Sequence, residues 1–238
     1  MSVCIDLAGK TVIITGAGSG IGFATVKIFQ NAGATVIAND IKDVNDMITL
    51  FDEKTIYVQA DISSEVGAKE LIQKAVSATG RLDCLINNAG VAADWDVTLN
   101  VNVKGPYFCS MEALKYLKVG GRIIFIGSAS SETGGTSSPQ YVASKGGMNS
   151  LMRFLAKNYS STGVRINSIS PAVVKTEFLR SWFETEEMME EKYGTQIPIG
   201  RMGDPEDIGN IALFLASNLS DYLQGQIIIA DGGRFHIG

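Results

Sequence analysis

The sequence predicts a single α/β domain, a doubly wound parallel sheet of about seven strands with helices on both faces. Three observations predict it. Short, continuously apolar runs, such as residues 12–14 and 123–126, recur along the chain, as in strands covered on both faces. Segments of helical period alternate with them. The 238 residues carry no linker, repeat or low-complexity segment, so one domain over 1–238 is expected.

Each element can be justified in order. "KTVIITGAGSGIG" reads as a buried strand entering a glycine-rich turn. "IGFATVKIFQNAG" continues with Ile21, Ala24, Val26, Ile28 and Phe29 at helical spacing, and Gly33 can end that helix. "ATVIAND" is the second strand and "KTIYVQAD" the third, with a short helical stretch near 44–51 between them. "SSEVGAKELIQKAVSATG" is helical, with Ser63 or Ser64 as its cap. "LDCLINNAG" is the fourth strand, a helix spans 95–117, and "GRIIFIGS" is the fifth strand. A helix over about 139–159, the strand "VRINSISP", an irregular region to about Gly203, the helix "DPEDIGNIALFLAS" and the strand "GQIIIADGG" complete the chain.

Composition excludes several functions. A net charge of −5 without any basic block argues against a nucleic-acid partner. No apolar run approaches about 18 residues, so no membrane span is expected. No basic segment followed by an apolar one opens the chain, so no secretory signal is read and the cytoplasm is the expected compartment. Cys4, Cys84 and Cys109 have no metal-ligand spacing and fit a reducing compartment. The single histidine, His236, cannot build a histidine metal site or a serine-hydrolase triad. No metal is expected.

"TGAGSGIG" lies where the first strand meets the first helix. Backbone N–H groups and the helix N-terminus attract an anion there, and glycine lets a backbone come close. A tight turn without a ligand is the competing reading, and Asp40 weighs against it. Asp40 ends the second strand, eighteen residues after Gly22. A carboxylate at that place accepts hydrogen bonds from the ribose hydroxyls of an adenosine and repels a 2′-phosphate. This favours NAD over NADP, although Lys42 stands two residues on.

These pieces resemble the short-chain dehydrogenase/reductase family over nearly the whole chain. The family's T-G-x-x-x-G-x-G stands at Thr15 to Gly22, and its N-N-A-G at Asn87 to Gly90. Its helix asparagine matches Asn102 in "NVNVKG". Its strand-end serine matches Ser128 in "FIGSAS", thirteen residues before Tyr141. Its Y-x-x-x-K is Tyr141 and Lys145 in "YVASK", and "RMGDPEDI" and "DGG" follow in order. A lone Y-x-x-x-K is near chance frequency; the ordered set is specific.

The resemblance implies a Rossmann-type fold with a dinucleotide half over 8–90 and a catalytic half over 91–238. It implies NAD-dependent hydride transfer between a secondary alcohol and a ketone. It also implies that Gly16, Ser19, Gly20, Ile21, Asp40 and Gly90 surround the cofactor, with Asp61 and Ile62 at the adenine and Asn88 beside the adenosine ribose. Pro171, Val174 and Thr176 then hold the nicotinamide amide. Tyr141 passes the proton, Ser128 holds the substrate oxygen, and Asn102 anchors a water in the proton relay. A free phenol with a pKa near 10 is a poor base at neutral pH. Lys145, one helical turn away, is expected to lower the Tyr141 pKa and to grip the nicotinamide ribose. The family is mostly dimeric or tetrameric, which implies an interface through the helices over 95–117 and 139–159. A sugar or polyol dehydrogenase, a non-catalytic NAD-binding regulator and a same-fold lyase such as a dehalogenase are the alternatives.

Two departures from the family stand out. The usual Pro-Gly is Pro171-Ala172, and alanine disfavours positive φ, so an altered turn is expected. Only "VAAD" separates Gly90 from Trp95, where the family commonly has a longer loop, so a more open cleft and a bulky or extended substrate are expected. Residues 177–200 form the expected substrate lid. Phe178, Leu179, Trp182, Phe183, Met188, Met189 and Tyr193 there either cover the substrate or pack on the core or a neighbouring subunit. The lid's acidic residues argue against a strongly anionic substrate.

Overall fold

The computed structural model describes residues 5–51, 55–135, 138–181 and 183–235; Cys4, Trp182 and His236 lie outside them. The strands are β1 (Thr11–Thr15), β2 (Thr35–Asp40), β3 (Thr55–Gln59), β4 (Cys84–Asn87), β5 (Arg122–Ile126), β6 (Arg165–Pro171) and β7 (Ile227–Ala230). The helices are α1 (Gly20–Asn31), α2 (Val44–Met47), α3 (Glu65–Thr79), α4 (Trp95–Leu99), α5 (Gly105–Ala113), α6 (Ser130–Thr133), α7 (Pro139–Asn158), α8 (Glu177–Arg180), α9 (Glu186–Tyr193) and α10 (Pro205–Ala216). The strands form one sheet in the order β3-β2-β1-β4-β5-β6-β7, and every pairing is parallel.

The apolar strand runs explain the layering. In β1, Val12 and Ile14 enter one core with Val26 and Phe29 of α1 and Ile208, Ala212 and Leu215 of α10. Ile13 enters the other core with Leu71 and Ile72 of α3, Cys109 and Ala113 of α5, and Met148, Met152 and Leu155 of α7. Period-two alternation thus puts apolar groups on both faces, and both faces are covered. The strand order reverses between β1 and β4, which places the ligand crevice at their C-terminal ends.

Local chemistry sets the helix ends. Ser64 Oγ accepts from the Gly67 N–H at 3.1 Å and caps α3. Gly33, at φ +87°, turns the chain after α1. The helix expected over 95–117 is interrupted by a π-helical turn, Asn100–Lys104. Pro106 lies just inside α5 and has no N–H for the carbonyl four residues earlier, that of Asn102. The chain widens to the longer hydrogen-bond step ahead of this proline.

Two other expectations change. Ala172 has no positive φ, which among the described non-glycine residues does not occur. Its N–H instead bonds the Ala230 carbonyl at 3.0 Å, so the chain leaves β6 by extending the sheet and needs no glycine. The region after β6 is not irregular throughout: it holds α8 and α9 over a small third core of Val173, Met189, Tyr193, Ile197 and Met202. No helix among the described residues is long and apolar enough to cross a membrane.

Candidate active site

The cofactor end is a backbone construction. Thr15 Oγ1 accepts from the N–H groups of Asn88 (3.0 Å) and Ala89 (3.1 Å), tying β1 to the end of β4. Asn88 Nδ2 donates to the carbonyls of Thr15 (2.9 Å) and Gly16 (3.0 Å). This side chain therefore clamps the glycine turn, a job sequence reading had not given it. At Gly16 a Cβ would stand 2.7 Å from the Ala89 Cα, and at Gly22 only 2.1 Å from the Gly16 carbonyl oxygen. Glycine is required at both. Gly18 donates to Asp40 Oδ2 at 3.0 Å, and Asp40 Oδ1 accepts from Ile41 at 2.8 Å, so the carboxylate is fixed beside the turn. The first N–H groups of α1 have no intrahelical partner, and no acidic side chain occupies its first turn.

Gly16, Ser19, Gly20, Ile21, Asp40, Asp61, Ile62, Asn88, Gly90, Pro171, Val174 and Thr176 all line one cleft of about 1010 Å³. Asp61 is exposed, and its Oδ1 accepts from the Ser63 N–H at 2.9 Å. Ile62 is buried against Gly105, where a Cβ would come within 2.8 Å of its Cδ1. Thr176 caps α8 through the Leu179 N–H (3.2 Å), and a Cβ on Gly20 would lie 3.3 Å from its Cγ2. The lid base thus rests on the start of α1. The residues present fit a nicotinamide dinucleotide: a glycine cradle at a helix N-terminus, and a carboxylate at the end of β2.

Ser128, Tyr141 and Lys145 line the same cleft, and Asn102 is buried behind it. Tyr141 and Lys145 rise from α7, Ser128 from the end of β5, and Asn102 from the π turn. Lys145 is buried (3% exposed) and Nζ donates to the Ile126 carbonyl at 2.8 Å. A Cβ on Gly90 would sit 3.2 Å from that Nζ, so the glycine of the N-N-A-G motif gives the ammonium its room. Asn102, fully buried, holds Val91 by both backbone groups at 2.8 Å and donates to Ser144 Oγ at 2.9 Å. Its two side-chain N–H donors are thereby used, and Pro106 leaves its main-chain carbonyl without the α-helical donor.

The protonation pattern corrects one expectation. Burial pushes the Tyr141 phenol up to about 12, although a hydrogen bond with Ser128 pulls the other way. Burial also pushes the Lys145 ammonium down to about 8. Lys145 Nζ lies 5.6 Å from the Tyr141 ring centroid and points its bond at Ile126, so desolvation outweighs its field at the phenol. The expected lowering of the Tyr141 pKa by Lys145 is absent from this geometry.

Several participants carried no clear signal in the sequence. Ser130 Oγ is 2.8 Å from Ser128 Oγ, and its N–H donates to the same oxygen at 3.2 Å. Ser131 Oγ donates to the Ser128 carbonyl at 2.7 Å and accepts from Asn149 Nδ2 at 3.0 Å. Asn149 Oδ1 in turn accepts from Ser168 Oγ at 2.9 Å. A polar chain from β6 through α7, buried at Ser168 and Asn149 and half-buried at Ser131, therefore fixes the Ser128 backbone; the run of serines after β5 was its one sequence trace. Of the lid residues, Met189 and Tyr193 pack inward, whereas Phe178 sets its ring 5.5 Å from that of Tyr141. Packing on the protein's own core thus holds for Met189 and Tyr193, and Phe178 stands beside the candidate catalytic tyrosine. The short loop is tied down by Gln140 Nε2 to the Ala93 carbonyl (2.6 Å) and by Asp94 capping α4 (2.9 Å).

The chain is similar to known proteins over nearly its whole length. A family model described as enoyl-(acyl carrier protein) reductase matches residues 16–234. The chain is 34% identical to the 3-oxoacyl-(acyl-carrier-protein) reductase FabG of Thermotoga maritima, over 95% of this chain and 98% of that protein. It is also 34% identical to the meso-2,3-butanediol dehydrogenase of Serratia marcescens, over 94% of each. The crystal structure of a 3-ketoacyl-(acyl-carrier-protein) reductase from Brucella melitensis, complexed with NADH, superposes with a TM-score of 0.88 at 28% identity, covering 96% of this chain and 99% of that one. The chain belongs to the short-chain dehydrogenase/reductase family and is an oxidoreductase of that family.

Proposed function

We propose that this oxidoreductase reduces the ketone of a small molecule with NADH, the same site also oxidising the matching secondary alcohol. The observation that carries the reading is the convergence of Ser128, Tyr141 and Lys145 with the glycine turn and Asp40 on one cleft. When bound, the nicotinamide supplies or accepts the hydride. Ser128 Oγ, oriented by Ser130, donates to the substrate oxygen as negative charge develops there. Tyr141 delivers the proton to that oxygen. A phenol pushed up to about 12 by burial holds its proton at neutral pH, as a donor to the developing alkoxide must. Lys145 holds the ribose hydroxyls, and the Asn102 main chain anchors the water that restores the proton. Asp40 selects NADH by accepting from the adenosine ribose. The reductase named among the relatives fits the reducing direction, and the butanediol dehydrogenase fits the polyol alternative.

The enzyme is a dimer or tetramer in this reading, joined through α4, α5 and α7. Trp95, Tyr107 and Phe154 on these helices are 53%, 40% and 59% exposed, and size-exclusion chromatography with light scattering tests whether a partner covers them. A panel of ketones assayed at the NADH absorbance band, repeated with NADPH, tests the chemistry. Turnover of ketones with preference for NADH is expected. Preference for NADPH would overturn the role of Asp40, and binding without turnover would favour a regulator.

A further inference from the structure

We propose that the lid end of the cleft holds an oxyanion of the substrate, a carboxylate or a phosphate remote from the reacting carbonyl, between Lys192 and Arg234. This rests on the hydride-transfer reading of the site. Both residues line the cleft, and both are held by the same aromatic ring. The Arg234 Cζ lies 4.9 Å from the Tyr193 ring centroid and 5.2 Å from that of Phe235. Lys192 Nζ lies 5.3 Å from the Tyr193 centroid and 5.2 Å from that of Phe183. Tyr193 is itself anchored in the lid core. Gln196 Oε1 accepts from Arg234 Nη2 at 3.1 Å and sets the plane of the guanidinium.

Neither cation has an acidic partner among the described residues. Asp231, the nearest in sequence to Arg234, gives its oxygens to the N–H groups of Gly233 (2.8 Å) and Phe235 (2.9 Å). Glu190 pairs with Lys175 at 2.9 Å. Glu186, Glu187, Glu190 and Glu191 stand off the cleft lining, where Glu177 is the lid's one carboxylate. The acid-rich composition of the lid therefore misleads: most of its acids sit outside the cleft, whereas Lys192, with Arg234 from the end of the chain, lines it. Cations placed on π faces keep their N–H donors available, and the guanidinium fork matches two oxygens of one anion. Two like charges on one ring also repel, and an oxyanion beside them relieves that repulsion. A neutral ketone uses none of this.

The test compares acetoacetate and levulinate with their methyl esters. Binding of each to the NADH complex is measured by calorimetry, and turnover is followed at the NADH band. The wild-type enzyme is expected to bind the better-fitting acid at least about tenfold more tightly than its ester, the scale of one charge-assisted hydrogen bond. In the Lys192→Gln/Arg234→Gln enzyme the acid-to-ester ratio should fall towards one through KM, and inorganic phosphate should cease to compete with the acid. Arg234→Lys, which keeps the charge, should retain part of the preference and guards against a misfolded double variant. Equal binding of acid and ester by the wild type would overturn the proposal, as would an unchanged ratio in the double variant. Selective binding of the acid without turnover would support the subsite and count against the hydride-transfer reading alone.

Discussion

The glycine turn and the lid meet across one cleft, and they are built of different material. At the glycine turn the working groups are backbone N–H groups and carbonyls, held by Thr15 and Asn88, and the missing Cβ atoms are the design. At the proposed lid the groups that face the cleft are side-chain tips: the Phe178 ring near Tyr141, and Lys192 and Arg234 on Tyr193. A backbone cradle tolerates almost no change at its glycines and recognises what all dinucleotides share. A side-chain lid tolerates exchange and so can carry the choice of substrate. The proposed catalytic residues stand between them, on α7 and the end of β5.

This contrast can be broken or sharpened by experiment, beginning with the largest expected effect. Tyr141→Phe should lower kcat by about 10³-fold, as for loss of a general acid, while NADH still binds by fluorescence titration; a small loss would remove Tyr141 from the chemistry. Gly22→Ala should weaken NADH binding and cost about 2 kcal/mol of stability, because its Cβ meets the Gly16 carbonyl at 2.1 Å. A Gly22→Ala enzyme with normal affinity and melting would mean the cradle is slack. Asp40→Ala should shift the NADH-to-NADPH preference by about tenfold and loosen Gly18, measured as a ratio of kcat/KM values. Pro106→Ala restores an N–H opposite the Asn102 carbonyl; a several-fold loss of kcat with unchanged NADH affinity is expected, and an unaffected rate would separate the π turn from proton relay.

The smallest effect concerns pH. Lys145 is pushed down to about 8 by burial, below the ordinary lysine value of about 10.4. Between these values the unfolded chain binds more protons than the folded one, so this group makes stability rise with pH. Tyr141, pushed up to about 12, acts oppositely: its contribution is lost as pH rises from about 10 through 12. Thermal melts of Lys145→Met across pH 7 to 10 should show a flatter profile than wild type. Matching slopes would mean that Lys145 is solvated.

Legibility followed the same contrast. Spacing marked the strands, Gly16, Gly22 and Asp40, because periodicity and glycine restrict the backbone locally, whereas the Tyr141–Lys145 pair stood out only through the ordered motifs of the family resemblance. The clamp role of Asn88, the support of Ser128 by Ser131 and Asn149, and the ordinary backbone at Ala172 did not show, since each depends on partners distant in the chain. The conformation at Ala172 was hidden because its sheet partner, Ala230, lies 58 residues on.

By itself, then, the sequence determined the doubly wound sheet and the place of the nucleotide crevice, which follow from chain-local periodicity and covalent geometry. The ordered motifs of the family resemblance named Tyr141 and Lys145 as the candidate catalytic pair. Only the tertiary structure decided how Tyr141 and Lys145 titrate and which charges of the lid face the cleft. Desolvation depends on what packs around a group, and the side on which a charge falls depends on how α9 and the chain's end meet over Tyr193.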